Sequence, residues 1–344
     1  MKLNFVEEKE LLFQKLLKVP VVDYCEMLKT LDDGFVVEIK MEGGVIFCIR
    51  VCVMQRAFPA QVKERIEIYQ KSDENRYFLI MAPYISDVTG ELCEKNRVGY
   101  LDLSGNCLIC VHSLYLLEKG NPNRAPERRQ IKSIFESTST VSSLILRELL
   151  RDISRPWKLK HLSEKLGCSI GQVSKVKNYL CEQLWAEMRE DGIVIMQPDS
   201  IMKAWSEQYS MRDSKIYTCY TLESIPMFEK RLKEIKEQNG IDYYLTGVSG
   251  GVRYTPIVRY NKIHLLVRPE DVKEFISVAK CKQVDSGANI VILEAKDENL
   301  LYDNRTIQEF QVVSPVQIYL DCMQLKGRGE EIADAVLMKE IAWQ

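Results

Sequence analysis

The span from Ser137 to Pro198 constrains the fold of this chain most, because its apolar spacing changes at identifiable break points. Val141, Leu144, Ile145 and Leu149 recur at three and four residues and predict a first helix from about Ser142 to Arg151. Pro156 breaks the pattern. Leu159, Leu162 and Leu166 predict a second short helix that stops at Gly167, the residue type that most easily takes the left-handed conformation at a helix end. Ser169 and Gln172 have the spacing of a capping box, so a third helix should start there, with Ile170, Val173, Val176, Leu180 and Leu184 on its buried side. Ala186 to Glu190 and Ile193 to Gln197 then flank Asp191-Gly192, a dipeptide suited to a type I′ hairpin turn. Three helices and a hairpin in this order predict a winged helix-turn-helix over residues 136–200.

The outer side of the third helix carries Gln172, Ser174, Lys175, Lys177 and Asn178, which can donate to phosphates or to base edges in a major groove. With Ser169 at its start, Lys158 and Lys160 on the second helix, and Arg189 on the hairpin, they form the expected contact set for duplex DNA. Charge supports the choice. Between Arg124 and Lys177 twelve basic residues face five acidic ones, while the whole chain is at −2, so positive charge gathers where the groove-reading elements lie. The competing reading is a packing or dimerisation module, an interaction scaffold whose basic span serves an acidic partner.

A length of 344 residues allows two or three cores, and 46% hydrophobic with 28% charged residues is ordinary for globular domains. No apolar run reaches a membrane span, and Met1 to Pro20 reads as an amphipathic, charge-rich helix, so a cytoplasmic protein without membrane contact is expected. The eleven cysteines are scattered and odd in number, which favours free thiols over disulfides. Cys107-x-x-Cys110 has metal-like spacing but lies in a strand-like run, where positions three apart face opposite sides. Neither a metal site nor a cofactor is expected.

Breakers and charges from Lys119 to Pro126 mark a linker, giving an α/β segment over 1–118, a linker over 119–135, the winged helix over 136–200, and an α+β segment over 201–344. The first segment reads as helices at Glu7–Lys18 and Val21–Leu31, a hairpin of Phe35–Lys40 and Val45–Met54, then alternating helices and strands. That order matches the core of restriction-endonuclease-like folds, in which a carboxylate and an E-x-K pair hold magnesium. Glu38-Ile39-Lys40 has the spacing but sits on the first strand of the hairpin, and the second offers Cys48, Arg50, Cys52 and Met54. The segment therefore reads as a degenerate nuclease fold, against the alternative of a metal-dependent nuclease using Glu38 or Asp33 with Lys40. In the last segment, Gly247-x-Ser249 has the form of a nucleotidyltransferase site opening, but the nearby strand Lys262 to Val267 has no carboxylate. A tight turn beside a packed helix is the expectation, and no catalytic residues are assigned.

Several phrases taken together identify a resemblance. Gly99 to Asn106 (GYLDLSGN), Ser169 to Lys175 (SIGQVSK), Trp205 to Tyr209, Tyr244 to Ser249 (YLTGVS), Ser314 to Asp321 (SPVQIYLD) and Gly327 to Glu331 (GRGEE) resemble the AbiEi-type antitoxins of type IV toxin–antitoxin systems, over most of the chain. The resemblance implies a bacterial, non-enzymatic repressor that binds its own operator and counteracts a nucleotidyltransferase-type toxin, directly or indirectly. In relatives the second hairpin strand often reads E-x-K; here Cys52 and Met54 stand there.

Overall fold

A computed structural model describes residues 5–72, 76–123, 134–135, 140–325 and 327–342. The chain is a mixed α/β protein dividing into two compact units, Met1–Lys132 with Glu182–Leu184, and Ser133–Cys181 with Trp185–Gln344.

The first unit runs α1 (Val6–Leu16), β1 (Val22–Leu31), β2 (Gly34–Met41), β3 (Ile46–Val53), α2 (Pro59–Gln70), β4 (Tyr77–Ala82), α3 (Asp87–Lys95), β5 (Gly99–Asp102), β6 (Cys107–Val111) and β7 (Leu114–Glu118). The seven strands lie in one sheet in sequence order. The β3–β4 and β4–β5 pairs are parallel and are connected through α2 and α3; the other pairs are antiparallel. Alternation along the strands sends Phe35, Val37 and Ile39 to a core shared with Leu12 and Leu16 of α1. On the opposite face Ile80 and Tyr100 pack with Val62, Ile66 and Cys93 of α2 and α3.

The segment Val21–Leu31, expected as a helix, is instead strand β1. Its pairing with β2 slips between Val22 and Tyr24 and again between Met27 and Lys29. Each bulge inserts a residue, so Val22 and Cys25 are buried three apart and the strand imitates helical spacing. Strand β7 takes residues 114–118, at the end of the first segment, which the sequence leaves without an assigned element. Most of the linker expected over 119–135 lies outside the described residues, as do Arg124, Arg128, Arg129 and Lys132 of the basic span. Ile134 and Phe135, placed in that linker by the sequence, are buried, with Phe135 against Trp185 and Trp205.

The second unit begins with α4 (Thr140–Arg151), α5 (Leu159–Leu166), α6 (Ile170–Glu182) and a hairpin of β8 (Ala186–Arg189) and β9 (Gly192–Ile195), followed by α7 (Pro198–Gln208). Next come β10 (Ile216–Tyr220), α8 (Ile225–Asn239), β11 (Tyr244–Thr246), α9 (Gly247–Tyr254), β12 (Ile263–Val267), α10 (Val272–Val278), β13 (Lys282–Gln283), β14 (Ile290–Glu294), β15 (Arg305–Ile307), β16 (Phe310–Val312), α11 (Pro315–Met323) and α12 (Arg328–Val336). The seven strands from β10 onward form a mixed sheet in the order β13-β10-β14-β12-β11-β16-β15. One apolar core runs through the unit, joining Leu146, Val176 and Trp205 to Leu245, Ile292, Ile318 and Ile332.

Candidate nucleic-acid interface

Helices α5 and α6 are joined by Gly167, Cys168 and Ser169. Gly167 is left-handed and returns its N–H to Ser163 O, while Ser163 Oγ donates to Cys168 O at 2.6 Å. The Ser169 and Gln172 side chains close a reciprocal cap: Gln172 N–H donates to Ser169 Oγ at 3.3 Å, and Ser169 N–H donates to Gln172 Oε1 at 2.9 Å. Ser169 Oγ also donates to Gln172 Oε1, at 3.0 Å. Gln172 is thus engaged through its carbonyl oxygen and presents its amide NH2 outward.

Val173, Val176 and Leu180 bury one side of α6. Two residues assigned to that side behave otherwise. Ile170 is 53% exposed, because it opens the helix above the core, and Leu184 lies beyond the helix end with φ +60°. On the outer side Gln172, Lys175 and Asn178 are exposed at three-residue intervals and form one stripe; Ser174 and Lys177 flank it half-buried. On α5, Lys158 is the N-cap and Lys160 stands in the first turn, both exposed, with Lys160 near Glu164 at 3.8 Å. Neither α5 nor α6 has an acidic residue in its first turn. Lys158 and Lys160 thus add positive charge at the positive end of the α5 dipole, an arrangement that opposes local stability.

The hairpin forms, with its turn one residue earlier than Asp191-Gly192 suggests. Arg189 pairs with Gly192, leaving Glu190 and Asp191 as the loop, and neither has the positive φ that a type I′ turn requires. Gly192 has another reason to be glycine. Trp157 makes an isolated antiparallel bridge to Ile193, its N–H donating to Ile193 O at 2.9 Å and its carbonyl accepting in return at 3.0 Å. A Cβ on Gly192 would lie 2.6 Å from the Trp157 carbonyl carbon, and its φ is +144°. The hairpin is acidic around its tip, since Arg189 is exposed but bonded to Glu187 at 3.0 Å, with Glu190 and Asp191 beside it.

The basic span is divided by the fold. Arg147 is buried, with its guanidinium on Gln317 Oε1 at 2.6 Å and 5.3 Å from the Trp205 ring. Arg151, Lys165 and the Tyr302 hydroxyl converge on the fully buried Glu148. Those three cations are turned toward the protein and leave the phosphate-facing set. Arg155 lies 3.8 Å over the Trp157 ring and 3.4 Å from Asp152. No signal in the periodicity separates the inward cations from the outward ones.

The possible catalytic residues are dispersed. Asp33 sits in the β1–β2 turn, where its carboxylate is bonded by Arg50, with Arg65 at 3.7 Å and Cys52 Sγ at 3.8 Å. Two cations hold the place at which a divalent ion would need free carboxylate oxygens. Glu38 faces Glu26 and Cys48 across its neighbours, four strand residues or roughly 13 Å beyond Gly34, and Lys40 is exposed near the strand end. Cys107 is buried and Cys110 exposed, on opposite faces of β6. In the second unit Ser249 Oγ donates to Thr246 O at 2.9 Å and accepts from His264 N–H at 3.0 Å. A Cβ on Gly251 would meet Ile332 Cγ2 at 2.2 Å, so the GVSGG run serves close packing of α9 on α12.

Residues 194–342 match the family model of a transcriptional regulator, the AbiEi antitoxin of type IV toxin–antitoxin systems, so the resemblance seen in the sequence holds over that span. No curated protein matches the chain. A solved structure of EndoMS in apo form matches 30% of this chain at 20% identity and a TM-score of 0.20, a likeness too slight to carry fold or function. The aligned part spans about half of that chain, 47%. Among the described residues, no helix is long and apolar enough to cross a membrane.

Proposed function

We propose that residues 136–200 are a winged helix-turn-helix that binds duplex DNA, and that the chain is a cytoplasmic repressor and antitoxin of a type IV system. The single observation that carries the DNA reading is the exposed stripe Gln172, Lys175 and Asn178 on a helix whose first turn is fixed by its own cap. The matched span begins at Val194, inside β9, so α4 to α6 rest on this geometry rather than on the family match. In this reading α6 enters the major groove, with Asn178, Ser174 and the Gln172 amide toward base edges. Lys158, Lys160, Lys175 and Lys177 meet phosphates. The acidic hairpin tip keeps Arg189 to a minor part, because Glu187, Glu190 and Asp191 repel the backbone.

The operator is the protein's own upstream DNA, and the C-terminal segment over 201–344 counteracts a nucleotidyltransferase-type toxin, by contact or through repression. The N-terminal segment over 1–118 is a degenerate nuclease-like fold without catalysis, a reading supported by the Arg50 and Arg65 cations at Asp33. Electrophoretic titration of upstream DNA against salt tests the proposal. Affinity should fall steeply with salt, and Lys175→Ala with Lys177→Ala should make the log–log slope shallower by about 2, near 0.9 for each phosphate that is no longer neutralised. Binding with no salt dependence, or a double variant indistinguishable from wild type, removes it.

A further inference from the structure

Of the seventeen glycines in the chain, all of them among the described residues, eleven have a positive φ and five more would drive a Cβ to within 3.2 Å of a neighbouring atom. Gly171 has neither reason to be glycine. Its φ is not positive, and beyond its own helix backbone a Cβ placed on it would meet Ser169 Oγ alone, 3.9 Å away. Glycine inside a helix is less stable than alanine, because it gives up more backbone freedom on folding. Nothing within the protein calls for that loss at position 171, and the other use of a glycine is to let a second molecule come close to the backbone.

Gly171 stands four residues before Lys175 and seven before Asn178, so it continues their line along the outer side of α6. Ile170 beside it is 53% exposed and lies four residues before the half-buried Ser174. Gln172 does not cover the glycine, because its Oε1 is held by Ser169 N–H at 2.9 Å and by Ser169 Oγ at 3.0 Å. The cap that starts the helix thereby keeps a notch open, with the Gly171 backbone as its floor and the Ile170 side chain as an apolar wall.

We propose that this notch seats the 5-methyl group of a thymine, with Gly171 allowing van der Waals approach and Ile170 supplying the apolar contact. The base edges in a major groove are otherwise hydrogen-bond donors and acceptors, and the thymine methyl is the apolar group they offer. A side chain at position 171 would stand where the methyl enters. The inference rests on the reading of α6 as a groove-reading helix and adds a position to it. Ser174, Lys175 and Asn178 have polar counterparts on DNA, whereas Ile170 and Gly171 select one base by shape.

The test uses the full-length protein and its upstream DNA, in which thymines are replaced one at a time by deoxyuridine, at low salt so that weakened complexes still titrate. For the wild type, loss of the methyl at the contacted position should weaken binding about fourfold, the worth of one buried methyl group. Ile170→Ser should bind the thymine and uracil DNAs equally at that position. Gly171→Leu should bind at least about tenfold more weakly than wild type while its thermal midpoint is no lower, since leucine favours a helix over glycine. Where Ile170→Ser does not fold, equal binding of the two DNAs by Gly171→Leu decides. Wild-type protein that binds upstream DNA in a salt-dependent way but is indifferent to every thymine replacement overturns the notch and leaves the DNA reading standing. So does a Gly171→Leu variant of wild-type affinity, or a thymine preference that survives Ile170→Ser. Wild-type protein that binds no upstream DNA overturns both.

Discussion

Asp33 and the α6 stripe handle charge in opposite ways. In the β1–β2 turn a carboxylate is met by two arginines, one of them 11% exposed, and the anion is fully engaged by cations of the same unit. On α6 the exposed Lys175 has only neutral residues, Gln172 and Asn178, one turn to either side along its stripe. Between these extremes lies Glu148, where the protein gathers cations that the sequence places in the same basic span as Lys175. Cations held on an internal carboxylate contribute to stability; a stripe whose cation has no such partner contributes little to stability and is available to a polyanion. Local charge density alone does not distinguish them.

Removing a charge should therefore harm the folded state at the inward clusters and hardly at the stripe. The largest effect is expected for Glu148→Gln, which leaves Arg151 and Lys165 without their buried anion and should lower unfolding free energy by about 3–5 kcal/mol in denaturant melts. A loss below about 1 kcal/mol would mean that Glu148 is no more buried in charge terms than α6.

Next comes the buried His264, whose Nδ1 has no partner among the described residues. Burial, and then the charge of Lys262, lower its pKa from 6.5 to about 4. The unfolded chain then takes up a proton that the native chain refuses, so stability should be complete above about pH 6.5 and fall by roughly 3 kcal/mol as the pH drops to about 4. His264→Gln should flatten that part of a stability-versus-pH profile, and an unchanged profile would contradict it.

Arg50→Ala strands Asp33 with the more distant Arg65 and should cost about 1–3 kcal/mol, measured by the same melts. A stabilised variant would show that the turn charge is not compensated. The smallest effect on stability belongs to Gln172→Ala, which removes the Ser169 N–H to Gln172 Oε1 half of the cap and should cost about 0.5–1.5 kcal/mol. Loss of DNA discrimination in that variant without loss of helix stability would assign Gln172 to base contact rather than to capping.

Much of the second unit is readable from spacing. The helices of residues 140–182, their Gly167 stop and the Ser169–Gln172 cap depend on neighbours within a few residues, and they form where periodicity places them. The failures have local causes of their own. Val22 to Leu31 imitates a helix because two bulges offset its burial, and Asp191-Gly192 loses the turn because Gly192 is drawn in against Trp157. Strand β7 is hidden in the sequence because its residues run straight into the breakers that follow Glu118.

Chain order fixed where the short elements start, stop and face, since helical and strand periods and caps are set by contacts a few residues apart. Which charges turn inward was settled by the fold, because their partners are far away in sequence. Arg147 meets Gln317 170 residues on, and Glu148 accepts from Tyr302 154 residues on. Burial of an ion depends on what surrounds it in space, and the division of one basic span into internal braces and an open face appears once those distant groups are brought together.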